Sequence, residues 1–185
     1  MIFVARAYII DDQDGMYFLT FRIVDWVDVF TREIYCQEIL ESFRYCRENK
    51  GLRLHAYVIM SNHLHVIMSA ENNNLSSVLR DFKRHTANRI WDLINKGGES
   101  RRDWLLDRFQ EAAHEHDRNS NYQIWHHDNH AIELVSYKFT LQKLAYIHLN
   151  PVRAGYVLEA AHWKYSSQRN YDGDSSILNI DLLDY

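Results

Sequence analysis

The sequence predicts an α+β chain built as a ferredoxin-like βαββαβ unit, an antiparallel sheet with helices packed on one face. Three observations point there. An aromatic and β-branched run, "MYFLTFRIVDW" (Met16–Trp26), is followed by the helical spacing of "TREIYCQEILESFRYCRENKG" (Thr31–Gly51). Two apolar runs, "LRLHAYVIM" and "HLHVIMSA", are separated only by Ser61-Asn62. Helical patterns then flank a partly strand-like "YQIWHHDNHAIELV".

Each element has a local reason. Met16–Trp26 reads as a buried strand because it combines strand-forming side chains with few polar ones. In Thr31–Gly51, Ile34, Ile39, Leu40 and Phe43 recur near helical spacing, with Thr31 placed to cap the start and Gly51 the end. Ser61 and Asn62 suit the tight turn of a hairpin. "NNLSSVLRDFKRHTANRIWDLINKGG" carries an apolar stripe of Leu75, Val78, Leu79, Phe82 and Ile90 and stops at Gly97-Gly98. "ESRRDWLLDRFQEAAHEH" has Ser100 and Asp103 at capping-box spacing, and "HDRNSN" reads as a loop. "SYKFTLQKLAYIHLN" is a helix capped by Ser136 and stopped by Pro151, the only proline of the chain.

Composition narrows the class. With 185 residues, 46% apolar and 25% charged, the chain has the balance of one globular domain. We expect a single domain over 1–185, with 97–122 a helical insertion and 166–185 a C-terminal tail ending in acids. No apolar run approaches the ~20 residues that span a bilayer, and the N-terminus makes a poor secretion signal. Cys36 and Cys46 fall on one predicted helix, roughly 15 Å apart, too far for a disulfide. These features predict reduced thiols and a cytoplasmic protein without a membrane partner. The net charge of −4 argues against nonspecific coating of nucleic acid, though a local basic groove is compatible with it.

Two clusters carry chemistry. In "YVIMSNHLHVIM" (Tyr57–Met68), His63 and His65 are two apart on a strand, so both imidazoles project from one face while Leu64 turns to the other. Such a pair either binds a divalent metal or consists of satisfied structural histidines. In "KLAYIHLNPVRAG" (Lys143–Gly155), Tyr146 and Asn150 share one helix face, with Gln142 one turn earlier. They are either a functional pair near a helix end or part of an ordinary surface helix.

Together the two clusters resemble a known family. "YVIMSNHLHVIM" is similar to the His-hydrophobe-His motif of the single-tyrosine HUH transposases of the insertion sequence 200/605 group. "YIHLNPVRAGYV" resembles the signature of their REP-associated tyrosine transposase branch. "YFLTFRIVDWVDVFTR", "LSSVLRDFKRHT", "IWHHDNHAIEL" and "HWKYSSQRNY" extend the likeness in order over nearly the whole chain. Ser61 departs from it, because many relatives carry proline before the Asn-His pair.

The resemblance implies an IS200-like fold and a transposase that nicks and rejoins single-stranded DNA. It implies His63 and His65 as metal ligands, Asn150 as the third ligand and Tyr146 as the nucleophile of a 5′-phosphotyrosine intermediate. Two histidines and an amide oxygen suit Mg²⁺ or, better for nitrogen donors, Mn²⁺. A tyrosine ordinarily ionises near ~10, so a metal that stabilises the crowded phosphate has a clear use. No Gly-rich loop ending in Lys-Ser/Thr is present, in keeping with chemistry that needs no ATP. The implied substrate is single-stranded DNA bearing a hairpin. Relatives act as monomers or as dimers that exchange the tyrosine helix, so a homodimer is one of two expected assemblies. A domesticated hairpin-binding protein without catalysis, and a metallohydrolase unrelated to DNA, are the competing readings.

For DNA contacts, Arg80, Lys83 and Arg84 form one sector of a helix. Lys96, Arg101 and Arg102 flank the next loop, and Arg153 follows the tyrosine helix. Trp125, Trp163, Tyr165 and Tyr171 are candidates for stacking on bases. A zinc site among His126, His127 and His130 is a lesser alternative. His114 and His116 do not share a helix face.

Overall fold

The computed structural model describes residues 9–115 and 121–184. Most of the expected "HDRNSN" loop and His116 lie outside these residues. Four strands, β1 (Tyr17–Arg22), β2 (Leu52–Ile59), β3 (His63–Ala70) and β4 (Ile132–Glu133), form one sheet in the order β2-β3-β1-β4. All pairings are antiparallel, so the α+β class and the strand arrangement are as expected. β2 and β3 are joined through Ser61-Asn62, and Met60 N–H donates to the His63 carbonyl across the turn at 2.9 Å.

The layering differs from the expectation of helices on one face. Helices α1 (Glu33–Asn49) and α2 (Leu75–Lys96) cover one face, where Leu19, Phe21, Leu64 and Val66 meet Ile39, Phe43, Leu79 and Phe82. Helix α4 (Tyr137–Arg153) covers the opposite face, where Phe18, Ala56, Val58 and Ile67 meet Leu144 and Ile147. The physical reason is visible in β1 and β3. Their apolar runs do not alternate with polar residues, which is the pattern of strands buried on both sides. The tyrosine helix therefore faces the odd-numbered side chains of β3, and His63 and His65 are among them.

Other boundaries moved for local reasons. β1 ends at Arg22, and Val24–Trp26 form a short 3-10 turn with Asp25 and Trp26 at φ 54° and 56°. Arg32 and Arg101 stand at the helix starts where Thr31 and Ser100 were expected to cap, and neither makes a side-chain cap. Ser136 holds the N-cap position of α4 without a side-chain hydrogen bond. Pro151 does not stop α4, which runs two residues further to Arg153. Proline sacrifices only one hydrogen bond there, and the end is closed instead at Gly155 (φ 75°), where Tyr156 N–H reaches the Pro151 carbonyl and Gly155 N–H the Val152 carbonyl. Of "YQIWHHDNHAIELV", only Ile132–Glu133 is a strand, helped by a bridge between Trp125 and Ile23.

α3 (Arg102–His114) packs beside α2. The acidic tail runs along the free edge of β2. Asp181 N–H donates to the Leu54 carbonyl, its carboxylate accepts from Leu54 N–H and from Arg47, and Leu178 is buried. Cys36 and Cys46 are free and buried, and burial pushes their thiols up to about 12 and about 11. No helix among the described residues is long and apolar enough to cross a membrane.

Candidate active site

The site forms where the β2–β3 turn, the end of β1 and the middle of α4 meet. Strand alternation brings His63 and His65 to the α4 face with ring centroids 4.7 Å apart. The His65 ring stacks on Phe18 at 5.4 Å, and the Tyr146 ring meets His65 at 5.1 Å and Phe18 at 5.9 Å. Two elements about 80 residues apart in sequence thus supply adjacent groups, within one polypeptide.

Both histidines are held through Nδ1, and for His63 the partner sets the tautomer. The Asn62 amide nitrogen donates to the Trp26 carbonyl at 3.2 Å and to Asp28 Oδ1 at 3.0 Å. With its nitrogen anchored twice, Asn62 turns its oxygen to His63 Nδ1 at 2.8 Å. An amide oxygen only accepts, so His63 donates through Nδ1 and keeps its Nε2 lone pair free. His65 Nδ1 lies 2.9 Å from Thr20 Oγ1, a hydroxyl that can accept from Nδ1–H and so is compatible with the tautomer that presents Nε2 as a ligand. Burial holds both imidazoles neutral, pushing His63 down to about 4 and His65 to about 3, the latter helped by His63 and Lys143.

Neutral imidazoles with the distal nitrogen tied down are the form in which histidine ligates metals. The 4.7 Å separation is close to that of two rings sharing one cation at ~2.1 Å from each nitrogen. The donor chemistry therefore fits a divalent ion. Among the described residues no cluster of three or more His, Cys, Asp or Glu side chains is arranged to hold a metal. A third protein ligand at this pair would thus be a residue of another type, and Asn150 lies one turn from Tyr146 on α4.

Two cations lie over the Tyr146 ring. The Arg153 guanidinium lies 5.6 Å and the Lys143 ammonium 5.9 Å from the Tyr146 ring centre. Lys143 also sits over Phe18 at 4.6 Å. At the other end of the histidine pair, Trp26 meets His63 edge-on at 5.8 Å and carries the Arg22 guanidinium at 4.7 Å.

The structure brings together His63, His65, Tyr146 and Arg153 of the residues singled out in the sequence. It places others apart. α2 lies on the opposite face of the sheet, so Arg80, Lys83 and Arg84 are remote from the phenol. Arg80 and Arg84 are exposed and paired with Asp81. Lys83 is turned inward, donating to the His126 carbonyl at 2.8 Å and to Asn129 Oδ1 at 2.6 Å. Arg101 is bound to Glu99 and the Asp28 carbonyl, and Arg102 to Asn95 and Asp103.

The expected stacking aromatics are mostly fixed in packing. Trp125 is buried against Phe30 and donates to Thr86. Trp163 donates to the Ile59 carbonyl, and Tyr171 to that of His55. Tyr165 packs against the main core. His148 points away from the site, with Nε2 2.9 Å from Ser167 Oγ.

Sequence reasoning missed Thr20, Arg22, Trp26, Asn62 and Lys143. Asn62 and Lys143 adjoin the recognised clusters, so they were within reach. Arg22 and Trp26 became legible only once β1 was seen to end beside His63.

Comparison with known proteins agrees with this architecture. The family described as "Transposase IS200 like" matches residues 14–105, about half of the chain. The fold is that of a REP-associated tyrosine transposase whose solved structure holds a REP hairpin, with a TM-score of 0.63, 18% identity, and 100% of this chain and 95% of that one covered. A putative transposase from Deinococcus radiodurans R1 is a more distant likeness, at TM-score 0.45 and 15% identity over 79% of this chain and 95% of that one. No curated protein matches the chain. From its His-Leu-His and tyrosine-helix motifs, its sheet and the match over residues 14–105, the chain belongs to the IS200-like transposases.

Proposed function

We propose that this protein nicks and rejoins single-stranded DNA carrying a hairpin, through a covalent 5′-phosphotyrosine on Tyr146. The observation that carries this reading is the meeting of Tyr146 and His65 at 5.1 Å across one sheet face. A phenol beside two neutral imidazoles and two cations suits attack on a phosphodiester better than any other reaction of these groups. The hairpin partner is taken from the REP-associated transposase of like fold, whose structure contains one. The same likeness, with the "YIHLNPVRAG" signature, supports the REP-associated branch.

In this mechanism His63, His65 and Asn150 would hold a divalent ion, Mg²⁺ or Mn²⁺. When bound, that ion supplies Lewis-acid stabilisation of the charge that builds on the scissile phosphate. Arg153 and Lys143, both over the Tyr146 ring, draw the anionic phosphodiester to the phenol and offset charge that develops on the phosphate. The Tyr146 oxygen attacks phosphorus, the bond to the 3′ oxygen breaks, and that oxygen leaves as a 3′-hydroxyl after taking a proton. One phosphate ester replaces another, so a later 3′-hydroxyl can reverse the step and join strands without ATP. All of these groups lie together within one chain, so the proposed reaction has Tyr146 acting in cis.

The test is a hairpin-bearing oligonucleotide labelled at its 3′ end, incubated with Mg²⁺ or Mn²⁺ and resolved on a denaturing gel. Label should migrate with the protein, and Tyr146→Phe should abolish this while leaving the thermal transition intact. An adduct that persists in Tyr146→Phe overturns the assignment. Hairpin binding without any adduct would favour a non-catalytic binding protein.

A further inference from the structure

We infer that Trp26 is a stacking platform for one unpaired nucleobase, set beside the histidine pair, with Arg22 receiving the adjoining phosphate. The inference rests on the reading that the substrate is single-stranded DNA. It adds a subsite that neither of the two recognised motifs contains.

Three observations carry it. First, Trp26 is 53% exposed, so a large apolar ring stands open to solvent beside the histidine pair. Trp125, by contrast, is 5% exposed. Second, the indole is held in place while exposed. Its backbone has φ 56°, following Asp25 at 54°, in a region that non-glycine residues seldom occupy. Arg108 pins the Asp25 carboxylate at 2.9 Å, and the Asn62 amide pins the Trp26 carbonyl at 3.2 Å. Third, its neighbours are those a nucleotide needs. The Arg22 guanidinium lies 4.7 Å from the ring centre, and His63 5.8 Å away.

Asn62 joins the two functions. One amide holds the carbonyl beneath the indole through its nitrogen and the His63 ring through its oxygen. The platform and the proposed metal ligand are therefore fixed in one frame. A base stacked on Trp26 would place its own phosphate near Arg22, within one nucleotide of the histidines. Every base has a π face, so this subsite selects for unpaired bases and not for sequence. A base inside a duplex keeps its stacking partners and cannot occupy it.

The experiment compares a twelve-residue oligothymidylate with a twelve-residue abasic strand of the same charge, by fluorescence anisotropy of an end label. The wild-type chain should prefer the thymidylate. Trp26→Ala should weaken thymidylate binding about 5- to 150-fold, the range reported for single stacked bases. It should leave abasic binding unchanged, and Trp26→Phe should restore most of the preference. Trp104→Ala, at another exposed indole on α3, should change nothing, and circular dichroism should show that each variant folds.

Equal loss on both strands would mean that the variant has damaged the fold or a phosphate contact. Unchanged thymidylate binding in a folded Trp26→Ala would mean that the indole meets no base. Either result overturns the inference. Neither bears on the covalent adduct of Tyr146, which is measured separately on the hairpin. Conversely, a preference lost in Trp26→Ala without any adduct would uphold the platform and defeat the cleavage reading.

Discussion

The imidazole of His65 and the phenol of Tyr146 meet with ring centroids 5.1 Å apart and planes inclined at 69°. One comes from a central strand and the other from the only long helix on that side of the sheet among the described residues. The contact is possible because α4 packs opposite α1 and α2. Had all helices shared one face, the histidines and the phenol would be separated by the sheet.

Asn62 should act on metal binding through His63. Its oxygen fixes the His63 tautomer, and its nitrogen is anchored to Trp26 and Asp28. Loss of a group that orients a metal ligand costs about 10- to 100-fold in affinity. Asn62→Ala should therefore weaken Mn²⁺ binding by that factor in a calorimetric or paramagnetic titration, with His63→Ala weakening it more. An Asn62→Ala chain that binds Mn²⁺ as tightly as wild type would show that the ring is oriented by something else.

The buried histidines predict a one-sided pH response. His63, His65 and His148 are pushed by burial to about 4, about 3 and about 4. In the unfolded chain each takes a proton near 6.5. Below that pH the unfolded state binds more protons than the folded one, so stability falls as pH drops from about 6.5 toward 4. Above 7 these groups contribute no slope. The urea midpoint should be flat from pH 7 to 8 and decline steadily below 6.5, and His148→Gln should reduce the decline. Mn²⁺ affinity should also hold from pH 8 to 6, because neither imidazole needs to lose a proton.

The contrast between His65 and Lys83 explains what could be read from the sequence. The two-residue period of a strand fixes which side chains share a face, so the pairing of His63 with His65 followed from spacing alone. That Tyr146 lies on a helix, one turn before Asn150, was legible in the same way. Which face of the sheet α4 would cover was not, because that depends on packing between segments far apart in sequence. The direction of a long side chain is equally silent. Lys83 looks solvent-facing beside Arg80 and Arg84, yet it turns to the loop at His126 and Asn129. Trp26 lay hidden because the strand pattern runs past Arg22, and only the left-handed backbone at Asp25-Trp26 ends it.

Lys83 should accordingly behave as a structural residue. Burial pushes its ammonium down to about 8, but it keeps two hydrogen bonds that tie α2 to the sheet edge. Lys83→Met leaves two acceptors without their donor and should destabilise by about 1–3 kcal/mol. The salt dependence of DNA binding should stay as in wild type. Arg80→Ala and Arg84→Ala, at exposed positions paired with Asp81, should each change stability by less than about 1 kcal/mol. If Lys83→Met retains full stability and loses one phosphate's worth of salt dependence, the inward placement is wrong.

Lys143 and Arg153 offer the sharpest separation of binding from chemistry. Both stand over the Tyr146 ring, at 5.9 and 5.6 Å, from opposite directions along α4, three residues before and seven after the phenol. A cation that stabilises charge developing on phosphate or phenolate acts mainly in the transition state. Removing either should slow adduct formation by about 10²-fold and leave hairpin affinity within a few-fold of wild type. Arg153→Lys keeps the charge and should recover part of the rate, whereas Arg153→Gln should not. Single-turnover kinetics at saturating oligonucleotide read this directly. A variant that loses affinity and rate in equal proportion would assign the cation to uniform substrate binding, and the phenol would then depend on its metal-side neighbours alone.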